Sequence, residues 1–281
     1  MLIKRILTNN ALVTEDVNGS EIIVCGKGIG FKKRAGDWID EQRINQVFVL
    51  NDNVQNKHFQ EIISEIPLES IELTNEIIEM IKTNLGKKLN DVIYITLSDH
   101  LYMAIQRKKQ GISVKNQLTL EIKHFYEKEF QLGINALEIV KKNLNIELSE
   151  DEAAFIALHI VNAETENNNL EQTVKMTQMM NEICNIVGRY FSIQLNTESV
   201  YYFRFITHLK FFAQRFMEEK EYQDNIEKEI FELVKKKYQT SYSCVLKISE
   251  FIYDKYKYKL TDEERMYLTI HIERVVYKNK D

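Results

Sequence analysis

Hydrophobic positions change period once along the chain. Over the first 50 residues they fall in short runs between polar or glycine-bearing turns, so Ile3–Leu7, Leu12–Thr14, Glu21–Val24 and Val47–Leu50 read as strands. Thr8-Asn9-Asn10 separates the first two, and Asn18-Gly19 is a type I′ hairpin signal. Asn51–Lys57 is polar, Pro67 is the only proline, and from Leu68 onward apolar residues recur at helical spacing. Ile93, Leu97, His100 and Ala104 share one helical face, as do Phe155, Ile156, His159 and Ala163. Ser149-x-x-Glu152 and Thr261-x-x-Glu264 have capping-box spacing and predict two helix starts.

The helical pattern is written twice. DHLYMAIQR (99–107) aligns with THLKFFAQR (207–215), and LSEDEAAFIALHI (148–160) with LTDEERMYLTIHI (260–272), so four of the six histidines occupy matched slots. Such self-similarity implies duplicated structural units. The polar run Glu164–Glu171, with three consecutive asparagines, is the expected connection between copies. The resulting expectation is a multidomain protein: a small all-β domain over 1–55, then two homologous all-α helical bundles over 66–170 and 171–281.

Composition narrows the class. No run approaches the roughly 18–20 apolar residues of a membrane span, and Met1 is not followed by a signal-peptide core. The three cysteines lack C-x-x-C spacing, which disfavours a disulfide framework or a zinc site. A cytoplasmic location without membrane insertion is therefore expected. The net charge of −5 is uneven: residues 1–50 hold seven Lys/Arg and six acids, the remainder 30 and 36. That balance permits a nucleic-acid-binding N-terminus without demanding one.

The matched histidines admit three readings. A histidine at the edge of an apolar helical stripe is commonly a hydrogen-bonded core residue. A metal site is disfavoured, because neither copy has an i, i+4 His pair or Glu-x-x-His on one helix. The third reading is covalent, since imidazole is a nucleophile that can accept a phosphoryl group and so gain a dianion. His58 and His124 have no counterpart in the other copy and read as structural or solvent-exposed. In the first domain, Cys25-Gly26-Lys27-Gly28-Ile29-Gly30-Phe31-Lys32-Lys33-Arg34 joins flexible backbone, one aromatic and four cations. Glycines let a backbone approach phosphate, Phe31 can stack on an unpaired base, and the cations neutralise phosphates. A glycine-bulged hairpin with a solvated basic end fits the run equally well. It is neither a P-loop nor a dinucleotide-binding fingerprint, and two helical periods for a helix-turn-helix are absent from residues 1–50.

MLIKRILTNNALV, GKGIGFKKRAGD, FIALHIVNAE (155–164) and HLKFFAQR (208–215) strongly resemble the BglG/SacY/LicT family of bacterial transcriptional antiterminators, over the whole chain and in the family order. The resemblance implies an RNA-binding co-antiterminator domain followed by two PTS regulation domains, dimeric and without cofactor or catalytic residue. It implies binding to an antiterminator hairpin in nascent mRNA, which keeps the overlapping terminator from forming so that sugar-catabolic genes, of the β-glucoside type, are transcribed. It further implies regulatory phosphorylation at His100, His159, His208 and His271. In the family pattern a sugar-specific permease (enzyme II) acts negatively through the first regulation domain and the phosphocarrier HPr positively through the second. RNA contacts carry over to Arg5, Asn10, Gly26, Lys27 and Phe31, with Lys33 a weaker candidate. The chain departs from the pattern in having Gly26-Lys27-Gly28 where Gly-Arg-Gly is frequent, losing a bidentate guanidinium. It also has Thr207 in the second copy opposite Asp99 in the first. Two other classes compete: a phosphotransferase-system phosphocarrier enzyme, and a DNA-binding activator bearing the same regulation domains. The first leaves the β-domain without a role, and the second lacks its helix-turn-helix.

Overall fold

The computed structural model describes residues 1–49, 53–164, 169–217 and 228–278, and of residues 53–58 the backbone only. The chain forms two compact units, Met1–Leu170 and Glu171–Asp281. The first opens with an antiparallel meander of β1 (Arg5–Thr8), β2 (Ala11–Glu15), β3 (Glu21–Cys25) and β4 (Gln46–Phe48). Its register, with Ala11 opposite Cys25 and Val13 opposite Ile23, sends alternate side chains to opposite faces. One face carries Ala11, Val13, Ile23, Cys25 and Phe48. The other carries Leu12, Ile22 and Val24 and is closed by Ile3, Ile29 and Ile39, the last two from the β3–β4 connection. A small sheet thereby buries both sides.

Two local expectations are corrected here. The hairpin between β2 and β3 is not a type I′ turn: only Gly19 has positive φ (79°), and the loop spans residues 16–20. The Asp16 carboxylate organises it by accepting from the backbone N–H groups of Asn18 and Ser20, both at 2.8 Å. The polar link expected before Pro67 is mostly helix α1 (Asn53–Glu65). Phe59, Ile62, Ile63 and Ile66, at helical spacing, pack onto the Phe48 face of the sheet together with Ile71 and Ile95. Asn, Gln and Lys at the start of the segment hide this stripe from a reading that begins at Asn51. His58 falls within α1, where its side chain lies outside the described residues.

The helices then repeat. The first bundle comprises α2 (Leu68–Leu85), α3 (Val92–Lys109), α4 (Thr119–Phe125), α5 (Glu127–Leu144) and α6 (Glu150–Glu164). The second comprises α7 (Leu170–Phe191), α8 (Val200–Met217), α9 (Lys228–Lys237), α10 (Gln239–Tyr256) and α11 (Asp262–Tyr277). Duplication extends to the breaks. A tyrosine separates α4 from α5 (Tyr126, φ −131°, ψ 50°) and α9 from α10 (Tyr238, φ −118°, ψ 49°). Left-handed residues Asn145 and Lys257 end α5 and α10. His124 is exposed on α4. Of the polar run expected to connect the copies, Glu164 ends α6, Leu170 and Glu171 begin α7, and residues 165–168 lie outside the described residues. Among the described helices none is long and apolar enough to cross a membrane.

The two capping boxes diverge. Both reciprocal bonds form at α11, Thr261 Oγ1 accepting from Glu264 N–H (3.2 Å) and Glu264 Oε2 from Thr261 N–H (2.9 Å). At α6 the equivalent Glu152 is drawn away, with consequences for the histidine beside it.

Candidate functional site

Four of the six residues expected to meet RNA converge at one end of the sheet. The two-residue turn Asn9-Asn10 and the end of β3 are laced together: Gly26 N–H donates to Asn10 O (2.9 Å), Gly28 N–H to Asn10 Oδ1 (2.8 Å) and Gly30 N–H to Asn9 O (2.9 Å). Asn10 thus holds the loop with both its backbone and its side-chain carbonyl oxygen. Gly26 is required by close approach, since a Cβ there would lie 1.8 Å from Arg43 O. Lys27 is exposed, and the Phe31 ring is 56% exposed with the Lys32 amine 5.4 Å from its centroid. Lys32 itself has positive φ (58°), a conformation uncommon outside glycine.

The other two stand apart. Arg5 on β1 is hydrogen-bonded to Gln60 of α1, and the Lys33 amine donates to Trp38 O (3.1 Å). One cation that the motif left out joins the loop. Arg43, held by Asp40 (Nε to Oδ2, 3.2 Å), reaches Gly28 O with Nη1 (3.4 Å). A guanidinium therefore lies beside the glycines whose central residue is lysine in this chain. No spacing rule links position 43 to position 27; only the close pass of the two chain segments does.

The four matched histidines form two pairs. In the first bundle, His100 of α3 and His159 of α6 have ring centroids 5.0 Å apart; in the second, His208 of α8 and His271 of α11 are 3.9 Å apart. His159 is buried, and its Nδ1 has no hydrogen-bond partner among the described residues. His100 is half-buried and brings Nε2 within 3.0 Å of Glu152 Oε2. This close approach joins α3 to α6. The other Glu152 oxygen accepts from Arg107 Nη2 at 3.0 Å. Burial raises the Glu152 carboxyl, but attraction to His100 and Arg107 outweighs it and leaves the group below the usual carboxylate range.

The second pair is built differently. His208 Nδ1 contacts the Tyr267 hydroxyl, where the first bundle has Phe155. Glu264, matched to Glu152, is instead engaged by the Tyr258 hydroxyl (3.0 Å) and its own cap. Burial, then Arg274 and Arg204, lower the pKa of His208. Sequence repetition located the histidines; Glu152, Arg107 and Tyr267 emerge only once the helices pack.

Both inner histidines are neutral at physiological pH. Burial, followed by the charge of His100, pushes His159 down to about 3; burial, followed by His208 and Arg274, pushes His271 down to about 4. A neutral imidazole retains the lone pair a phosphoryl transfer needs. Because the folded pKa lies below the unfolded value of about 6.5, unfolding takes up protons. The stability contributed is complete above pH ~6.5 and is lost as pH falls toward 4, at about 1.4 kcal/mol per pH unit for each group. Urea midpoints measured from pH 7.5 to 5 are expected to fall less steeply in a His159→Asn/His271→Asn variant than in the parent. Equal slopes would show that these rings are not buried in the neutral form.

Comparison with known proteins agrees with this architecture. The family model for the PRD domain matches residues 75–163 and again 181–275, and that for the CAT RNA binding domain matches residues 1–57. The chain is 45% identical over 278 residues to the transcription antiterminator LicT of Bacillus subtilis (strain 168), covering 98% of this chain and 99% of that protein. It is 40% identical to the beta-glucoside operon antiterminator of Dickeya chrysanthemi, covering 98% and 96%. The crystal structure of GlcT CAT-PRDI superposes with a TM-score of 0.51 at 32% identity, over 59% of this chain and 98% of that one. An RNA-binding sheet followed by two histidine-paired helical bundles, matched from end to end by antiterminators, places the chain in the family of transcription antiterminators built from a CAT RNA-binding domain and PRD domains, regulators rather than enzymes.

Proposed function

We propose that the protein binds, as a cytoplasmic homodimer, an antiterminator hairpin in the nascent mRNA of a sugar-utilisation operon of β-glucoside type. Residues 1–55 form the RNA-binding domain, with Asn10, Gly26, Lys27 and Phe31 at the centre of its contact and Arg5 and Lys33 at the margin. Residues 66–170 and 171–281 are the two regulation domains. His100, His159, His208 and His271 are their phosphorylation sites, served by a sugar-specific enzyme II at the first and by HPr at the second.

The observation that carries this reading is that two histidine pairs, alike in backbone, differ in electrostatics. In the first bundle Glu152 lies 3.0 Å from His100, and Asp99 precedes it. A phosphoryl group of nearly two negative charges placed there meets carboxylate, and must break the contact that ties α3 to α6. In the second bundle the matched Glu264 is engaged elsewhere and Thr207 replaces Asp99. The same modification therefore loosens one bundle and is accommodated by the other, which supports opposite signs of control.

An electrophoretic shift assay comparing a hairpin RNA with duplex DNA of the same sequence tests the core of the proposal. Retardation of the RNA alone is expected. Preference for the duplex would transfer the reading to a DNA-binding activator, and no retardation of either would favour a phosphocarrier.

A further inference from the structure

The second histidine pair is bracketed by two cations with no carboxylate paired to them among the described residues. Arg204 lies four residues before His208 on α8, and Arg274 three residues after His271 on α11, so each is one helical turn from its histidine and on the same side. The two rings are 3.9 Å apart, and the charges of both arginines act on His208, that of Arg274 on His271 as well. Both residues are exposed, and neither has an ion-pair partner among the described residues. The adjacent acid, Glu273, accepts from Ser241 Oγ at 2.7 Å. Counting from the first-bundle histidines in the same way reaches Thr96 and Asn162, half-buried and fully buried respectively. Neither carries charge. The duplication has kept the histidines and changed what surrounds them.

We propose that Arg204 and Arg274 form a phosphoryl-binding site beside His208 and His271, and that the first bundle has no equivalent. The inference rests on the reading of these histidines as phosphorylation sites and adds the residues that receive the group. A guanidinium offers a planar fork of donors suited to phosphate oxygens, and an unpaired arginine one turn away can reach a group attached to the ring. When His208 donates its Nδ1–H to the Tyr267 hydroxyl, its lone pair is on Nε2, which becomes the attacking atom. That lone pair displaces the nitrogen of a phosphohistidine on the donor protein. One N–P bond forms, the donor nitrogen retains the electron pair of the other, and a proton passes through solvent from the acceptor ring to the donor ring. The dianion moves intact between proteins, and the arginines lower the free energy of its new position. In the first bundle, among the described residues, no cation offsets Glu152 beyond Arg107, which is already bound to it. A phosphoryl group on His100 is consequently held less firmly and returned more readily to its donor.

The test uses the full chain treated with phosphoramidate, a small phosphoryl donor that bypasses recognition of any carrier protein. Phosphohistidine at each pair is followed by intact-mass and peptide mapping against time at neutral pH. In Arg204→Thr/Arg274→Asn, which installs the first-bundle residues, occupancy at the second pair is expected to fall by about tenfold or more, the scale of a lost charge-assisted hydrogen bond. Occupancy at His100 and His159 serves as an internal control and stays unchanged, while Arg204→Lys/Arg274→Lys retains most of the effect. Both positions are exposed, so the variants are expected to fold, which circular dichroism checks. A second arm titrates inorganic phosphate into the unphosphorylated protein and follows the imidazole resonances of His208 and His271. Shifts in the parent that vanish in the Thr/Asn variant support the site even if no covalent product forms, a result that would remove the phosphorylation reading alone. Equal occupancy and equal phosphate response in parent and variant would overturn the arginine site itself.

Discussion

Replacing His208 and His271 together by Asp is expected to give antitermination without HPr in a reporter strain, whereas His100→Asp silences the same reporter. Aspartate supplies one negative charge where phosphohistidine supplies nearly two, so the mimic is partial and its sign is what matters. In the second bundle the carboxylate matched to Glu152 is engaged elsewhere, because Glu264 is bound by Tyr258 and by its cap. Packing between α8 and α11 is then reorganised rather than broken, and the dimer competent for RNA is favoured. In the first bundle the carboxylate introduced by His100→Asp faces Glu152 across a gap that is 3.0 Å in the parent, with Asp99 beside it. Aspartate is shorter than histidine, so the two carboxylates stand further apart than that, yet like charges facing each other in a half-buried seam still oppose packing of α3 against α6. The histidines lie in helical bundles outside the Asn10–Phe31 loop, so under the proposed function the effect is expected to act through association and not at the RNA contact. Matched alanine variants separate charge from loss of the ring. Should the aspartate and alanine proteins give the same reporter output, charge is not the switch and the histidines serve packing alone.

Phe31→Ala is expected to weaken hairpin binding by roughly 5- to 150-fold, the 1–3 kcal/mol of a base–aromatic stack. The ring is 56% exposed, so its removal leaves the folded domain intact and the loss reports on the ligand. Lys27→Ala should reduce affinity and lower the slope of log affinity against log salt by about one phosphate contact. Filter-binding titrations over a salt series measure both quantities, and unchanged binding in both variants would move the RNA site away from this loop. The same measurements on residues 1–55 alone carry a structural condition. In the full chain Phe59, Ile63, Ile71 and Ile95 cover the Phe48 face of the sheet. Cutting at residue 55 uncovers Ala11, Val13, Ile23, Cys25 and Phe48. A fragment with so large an apolar share is marginal as a monomer, and homodimerisation through that face is the expected way to bury it.

Much of the architecture is legible as periodicity. The change of period after residue 50 separates sheet from helices, and the doubled histidine blocks announce the doubled bundle. The matched slots also lead to the right helix faces, because residues recurring every third or fourth position share one side of a helix. Helix α1 escapes such a reading because its apolar stripe begins at Phe59, behind polar residues with no periodicity of their own. Asn18-Gly19 favours type I′ geometry as a dipeptide, yet the Asp16 carboxylate organises a longer loop through two backbone N–H groups.

What the sequence determined by itself was therefore which side chains share a face: His100 with Leu97 and Ala104, His271 with Leu268 and Val275, Phe31 with its neighbouring cations. What only tertiary structure decided was what each face meets. Glu152 has capping-box spacing in the chain, but the packing of α3 against α6 turns it to Arg107 and His100. The matched Glu264 keeps its cap. Arg43 is far along the chain from Gly28 and reaches it through the β3–β4 connection. Local spacing encodes direction around one helix or strand, while the partner across the gap depends on how separate elements pack. The difference between the two histidine pairs, on which opposite control would rest, arises at those gaps.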